Sequence, residues 1–140
     1  MKQKGYLAGM LVVASLLAGC GTVVRSLPLP ATATAPDASG VAIYFGEQPH
    51  PEVKTNLGPR SESARVRRAE AEQPTCDQAL TEALNRLRTY AKGHGGNAVI
   101  NVTTRFHEKR SSSTTEYTCG VSGSAGAIAV SGDVVQLNAQ

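Results

Sequence analysis

Three cysteines and three histidines are the side chains of this 140-residue sequence best suited to covalent or metal chemistry, and their surroundings sort them. Cys20 ends the run Leu17-Ala18-Gly19-Cys20, which reads as a lipobox, the small residues before a cysteine that receives lipid once the preceding peptide is cleaved. Lys2 and Lys4 supply a positive start, and Tyr6 to Ala18 is apolar with only Gly9 and Ser15 as soft interruptions. A membrane-spanning helix needs about 20 apolar residues, more than this run holds. An uncleaved anchor with a buried Cys20 is the competing reading, and the small residues before the cysteine favour cleavage. The expectation is a signal peptide over residues 1–19, lipidation (palmitate) at Cys20, and a membrane contact made through that lipid.

Cleavage would remove Lys2 and Lys4, leaving 12 basic against 11 acidic residues, one net positive charge. So balanced a chain has no global electrostatic reason to bind nucleic acid, which requires clustered phosphate-neutralising Lys and Arg.

With Cys20 committed to lipid, Cys76 and Cys119 form an even pair in an oxidising compartment, which predicts a disulfide between them. In the chain-entropy picture, closing that 44-residue loop stabilises by about 4 kcal/mol. The rivals are two buried thiols or half of a metal site, although structural zinc wants four ligands and close pairs such as C-x-x-C. Cys76 beside Asp77 at a helix start could also be a reactive thiolate. Its partner, however, stands 43 positions away, unlike the close pairs of thiol oxidoreductases.

His50, His94 and His107 each fall in or beside a turn without i, i+2 or i, i+4 pairing. A metal site from His50 and His107 with Glu47, Glu52 or Glu108 would need the first strand to lie near the hairpin after Phe106. Solvated turn residues are the simpler reading, so no metal site is assigned. Arg65, Arg67 and Arg68 could meet lipid headgroups or an acidic partner, but Glu70 and Glu72 follow, and a solvated mixed-charge face fits them. The sequence carries no phosphate-binding G-x-x-x-x-G-K-[ST] loop and no G-x-S-x-G elbow. The expectation is therefore no enzyme, no catalytic residue, no cofactor and no nucleotide.

These residues must be held by a small fold. Residues 20–40 begin at the lipidated cysteine and run through Thr, Ala, Ser and Pro, which predicts a flexible tether able to reach about 60–70 Å. The folded domain is expected over 41–140. Val41 to Phe45 reads as a strand, Val53 to Leu57 as a second extended segment closed by Gly58-Pro59, and Arg60 to Arg68 as either an edge strand or a polar helical turn. A helix is predicted from about Cys76 to Lys92, with Thr75 and Gln78 at capping-box spacing. Ala79, Leu80, Ala83, Leu84, Leu87, Tyr90 and Ala91 share one face. Strands follow over Asn97 to Phe106, Thr114 to Val121 and Ala127 to Leu137, the last bulged at Gly132-Asp133. In the first, Ala98, Ile100, Val102 and Phe106 are expected on one face. The fold class is α+β, one amphipathic helix packed on a mainly antiparallel sheet of about five strands.

The segment Gly95-Gly96-Asn97-Ala98-Val99-Ile100-Asn101-Val102 resembles one shared by small YbjQ-type domains and the C-terminal domain of Rcs-phosphorelay-sensor-like outer-membrane lipoproteins. The order of lipobox, tether, first strand, cysteine at the helix start, Asn-Ala-Val and cysteine in a later strand agrees. The chain is also similar to small envelope lipoproteins that go by the name of an excinuclease, although it has no ATP-binding motif. The resemblance implies that Cys76 and Cys119 correspond to one of the sensor's two long-range disulfides; the second pair has no counterpart here. The function expected is a non-catalytic envelope lipoprotein, a protein-interaction, sensor or structural module held at the outer membrane facing the periplasm, with another envelope protein as partner. The alternative is a periplasmic lipoprotein that binds a metal or small ligand.

Overall fold

The computed structural model describes residues 21–139. The signal peptide expected over 1–19 and the lipidation expected at Cys20 fall outside the described residues. Within them the chain runs β1 (Val23–Pro28), α1 (Ala31–Thr34), β2 (Ala42–Phe45), β3 (Val53–Arg67), α2 (Glu72–Gly93), β4 (Ala98–Phe106), β5 (Lys109–Ser111), β6 (Glu116–Val121) and β7 (Ala125–Leu137). The fold is α+β, one main helix on a mixed sheet. Seven strands stand where about five were expected, because both a tether segment and the hairpin connection contribute one.

The long strand β7 organises the sheet. It pairs with β3 along one edge, and with β4 and then β6 along the other; β1 pairs with β6 and β5 with β4, all antiparallel. Only β2 runs parallel to its neighbour, β4. The extended segment expected over Val53 to Leu57 and the stretch Arg60 to Arg68, read as either an edge strand or a helical turn, form one strand. Gly58 takes a positive φ of 100°, open to glycine at no steric cost, and Pro59 needs no amide hydrogen on the strand's outer edge.

Helix α2 starts four residues earlier than the Thr75 spacing predicts. Ala71 is the N-cap, and Pro74 falls in the first turn, where its missing N–H would have no intrahelical partner. Thr75 is thus inside the helix, its hydroxyl donating to the Ala71 carbonyl at 2.7 Å and accepting from the Ala69 amide at 2.9 Å. The helix buries Ala79, Leu80, Ala83, Leu84, Leu87 and Ala91, as the periodicity demands, against Val99, Val102, Ile128, Val130 and Val134 of the sheet. Each buried leucine contributes about 1.5–3 kcal/mol relative to exposure.

Strand β4 departs from simple alternation. Val99 and Val102 both face the helix, while Ala98 and Ile100 join Val135 and Leu137 in a second cluster on the opposite face. Asn101 supplies the switch. It adopts φ 54°, the register jumps between Ile100 and Thr103, and its amide donates to Asp133 Oδ2 at 3.0 Å. The bulge expected in β7 at Gly132-Asp133 thus lies in its partner strand. In β7 itself Ile128, Val130 and Val134 face the helix in regular alternation. Gly132 lies on that face, and a Cβ there would come within 2.7 Å of Val99 and 2.9 Å of Val102.

The tether is where expectation and structure part most. Residues 23–28 form β1, registered from Val23 opposite Val121 to Pro28 opposite Glu116, and α1 follows as a single helical turn. Ala33 is buried, and Leu27 and Leu29 pack on the main core. Proline and small residues lower a segment's own preference for order, but they do not prevent pairing with an unfilled edge such as that of β6.

Candidate functional site

Two of the three cysteines meet where α2 packs on β6. Cys76, near the start of α2, is bonded to Cys119 of β6 across a Cα–Cα distance of 6.0 Å. Both residues are fully buried. Beside the bridge, the Tyr117 hydroxyl donates to Asp77 Oδ1 at 2.5 Å, and the Gln73 side-chain amide donates to the same oxygen at 2.8 Å. Burial, and then the hydrogen bond and negative charge of Asp77, push the Tyr117 hydroxyl well above the ordinary tyrosine pKa. A phenol that must give up a proton in catalysis needs the reverse shift. The pair therefore locks a buried hydroxyl between helix and sheet.

The resembling segment Gly95 to Val102 also resolves into structural jobs. Gly95 ends α2 with φ 82°, and the Gly96 amide donates back to the Ala91 carbonyl at 2.8 Å. A Cβ at Gly96 would come within 2.8 Å of Val134, which explains the second glycine. Asn97 acts as an extra peptide. Its amide nitrogen donates to the Leu137 carbonyl at 3.0 Å, and its oxygen accepts from the Leu137 amide at 2.7 Å, clamping the end of β7.

A third cluster holds the segment that precedes β2. Arg88 of α2 is buried and donates through Nη2 to the Ala33 carbonyl at 3.2 Å, while its Nε lies 3.6 Å from Asp37 Oδ2. Asp37 is held below the usual carboxylate range, first by the Ser39 hydroxyl, with Arg88 adding to it. The spacing of Arg88, four residues after Leu84 and three before Ala91, places position 88 on the buried helix face, but the residue type there, an arginine, reads as exposed.

The histidines do not converge. His50 bonds the Pro51 carbonyl through Nδ1 at 2.8 Å and lies edge-on to Tyr44. His94 stacks on Tyr90 with centroids 3.9 Å apart, and Tyr90 in turn carries the Arg60 guanidinium on its ring at 4.1 Å. His107 occupies the turn between β4 and β5 with φ 50°, against Phe106. Among the described residues no three His, Cys, Asp or Glu side chains gather at metal-binding distance. None of the helices among them is long and apolar enough to cross a membrane.

Arg65 and Arg67 lie on β3 opposite Ala127 and Ala125, and Arg68 reaches the Ser122 carbonyl at 2.9 Å. Across the same sheet, Arg105 stands opposite Ala129 on one side and Arg110 on the other.

No family model matches the chain, and no curated protein matches it. Among solved structures it is similar to a protein of unknown function of the DUF74 family from Pediococcus pentosaceus. The identity is 14% over 71% of this chain and 99% of that one, with a TM-score of 0.48.

Proposed function

We propose that this chain is an exported lipoprotein, anchored through Cys20, whose folded part is a non-catalytic interaction module of the cell envelope. The buried Cys76–Cys119 bridge carries the reading, because a domain built around a disulfide suits an oxidising compartment outside the cytosol. The lipobox supplies the anchor. The chemistry around the bridge supports a module over an enzyme: the Tyr117 proton is held rather than poised, and the helix-start cysteine is spent in the bridge. The resemblance to Rcs-phosphorelay-sensor-like lipoproteins supports an outer-membrane address and an envelope-protein partner.

Expression of the full chain in a Gram-negative host, followed by mass analysis of the N-terminal peptide, tests the anchor. Cleavage before Cys20 with a lipid-sized mass increase on it is expected, and Cys20→Ser should leave the chain unlipidated and uncleaved at that bond. Recovery of wild-type protein with a free Cys20 thiol would reject it. Crosslinking in intact envelopes tests the partner, and a chain that crosslinks to no other envelope protein argues against an interaction module.

A further inference from the structure

The length of chain left between Cys20 and the sheet is the starting point. Strand β1 begins at Val23, three residues after Cys20, so the lipidated cysteine can stand no more than about 11 Å from the first strand. A domain on so short a leash touches the bilayer with whatever surface surrounds that strand end.

That surface is apolar, with basic side chains outnumbering the one acidic side chain, Glu108. Val23 and Val24 are exposed at 44% and 38%, two of the three large apolar residues so exposed among those described. The register places Val24, Gly120, Ala127 and Arg65 in one row across β1, β6, β7 and β3, on the sheet face away from α2. The Phe106 ring occupies the space a side chain at Gly120 would need, bringing the β4–β5 hairpin over this row. Two shallow depressions meet there and share Arg105, Phe106 and His107. Val24, Glu108 and Lys109 complete one, and the other adds Arg65 and Arg86, so a single carboxylate stands among the basic side chains. Arg105 and Arg110 stand directly opposite each other in the hairpin, an arrangement that costs stability in the free protein. Unlike Arg25, Arg60 and Arg88, none of Arg65, Arg105, Lys109 and Arg110 makes an ion pair among the described residues.

We propose that the β4–β5 hairpin and the start of β1 lie on the bilayer that holds the anchor. Arg65, Arg105, Lys109 and Arg110 meet the phosphates of anionic phospholipids, and Val24 and Phe106 give apolar contact. The proposal rests on lipidation at Cys20. Basic side chains held beside an anchor are drawn to anionic headgroups by the surface potential. These charges need only come within about 8–10 Å of the surface to feel its potential at physiological salt.

The test uses the full lipidated protein reconstituted into vesicles of phosphatidylcholine alone or enriched in phosphatidylglycerol, with amide hydrogen exchange as the readout. On anionic vesicles at low salt, residues 23–25 and 105–111 should exchange at least about fivefold more slowly than on neutral ones, while β7 is unchanged. Each basic side chain removed should weaken the contact about fivefold, so the exposed double variant K109Q/R110Q should lose the protection with its melting temperature intact. Equal exchange on both vesicle types overturns the proposal. So does protection found in native envelopes but not on vesicles, which would mean a protein covers the hairpin. Mass analysis beforehand separates the two failures: no lipid on Cys20 rejects the anchor, whereas a lipidated chain without this protection rejects the hairpin contact alone.

Discussion

At the scale of single residues, two links between α2 and β6 can each be tested by one substitution. Cys76→Ser and Cys119→Ser should each lower the unfolding free energy by about 4 kcal/mol. Urea unfolding with and without reductant checks this: the variants should match reduced wild type, and a midpoint insensitive to reductant would contradict it. Tyr117 gives the pH counterpart. Its hydroxyl pKa is raised in the folded state, so the stabilisation is fully present below the unfolded value of about 10 and is lost as pH rises above it. Tyr117→Phe should cost about 1.5–3 kcal/mol at neutral pH, since the lost hydrogen bond is to a charged group. It should also flatten the alkaline fall in stability, measured as melting temperature from pH 8 to 11. The disulfide is legible in the sequence because cysteines can be paired by counting. The Tyr117 to Asp77 bond is not, because nothing local marks two residues 40 positions apart as neighbours.

At the scale of elements, patterns that repeat are legible and interruptions are not. The helix face of Leu80, Leu84 and Leu87 follows from its 3.6-residue period. The bulge at Asn101 does not, since a left-handed asparagine looks locally like any other polar residue in a strand. The start of α2 is hidden because Thr75 and Gln78 imitate a capping box while Pro74 is in fact tolerated inside the first turn. The hold on residues 31–40 rests on Arg88. Arg88→Met keeps most of the side chain's bulk but removes the bond to the Ala33 carbonyl and the ion pair with Asp37. Limited proteolysis should then cut between residues 31 and 40 at least several-fold faster, with the β-sheet core intact. Acid should loosen the same segment. The Asp37 pKa is lowered in the folded state, so its contribution is present above the ordinary carboxylate value near 4 and fades as pH falls below it. Asp37→Asn should remove that acid sensitivity.

At the scale of the whole molecule, the fold class is legible in the sequence and the domain boundary is not. Composition makes residues 21–40 look like a spacer, because Pro, Thr and Ala carry little intrinsic order. The edge of β6 decides their fate, an influence no local window contains. A chain with residues 21–40 deleted and Cys20 joined to Val41 separates the two pictures. For a spacer, melting temperature would not change. For a structural segment, the deletion strips six residue pairings from β6 and uncovers the core beneath Leu27, Leu29 and Ala33. A loss of about 3 kcal/mol would lower the melting temperature by about 10 °C in a chain this size. Replacing 21–40 with a Gly/Ser sequence of equal length restores reach without pairing or packing, so it should melt like the deletion. Recovery by that replacement would show that length alone matters. The shared instability of both variants would show that residues 21–40 are part of the fold.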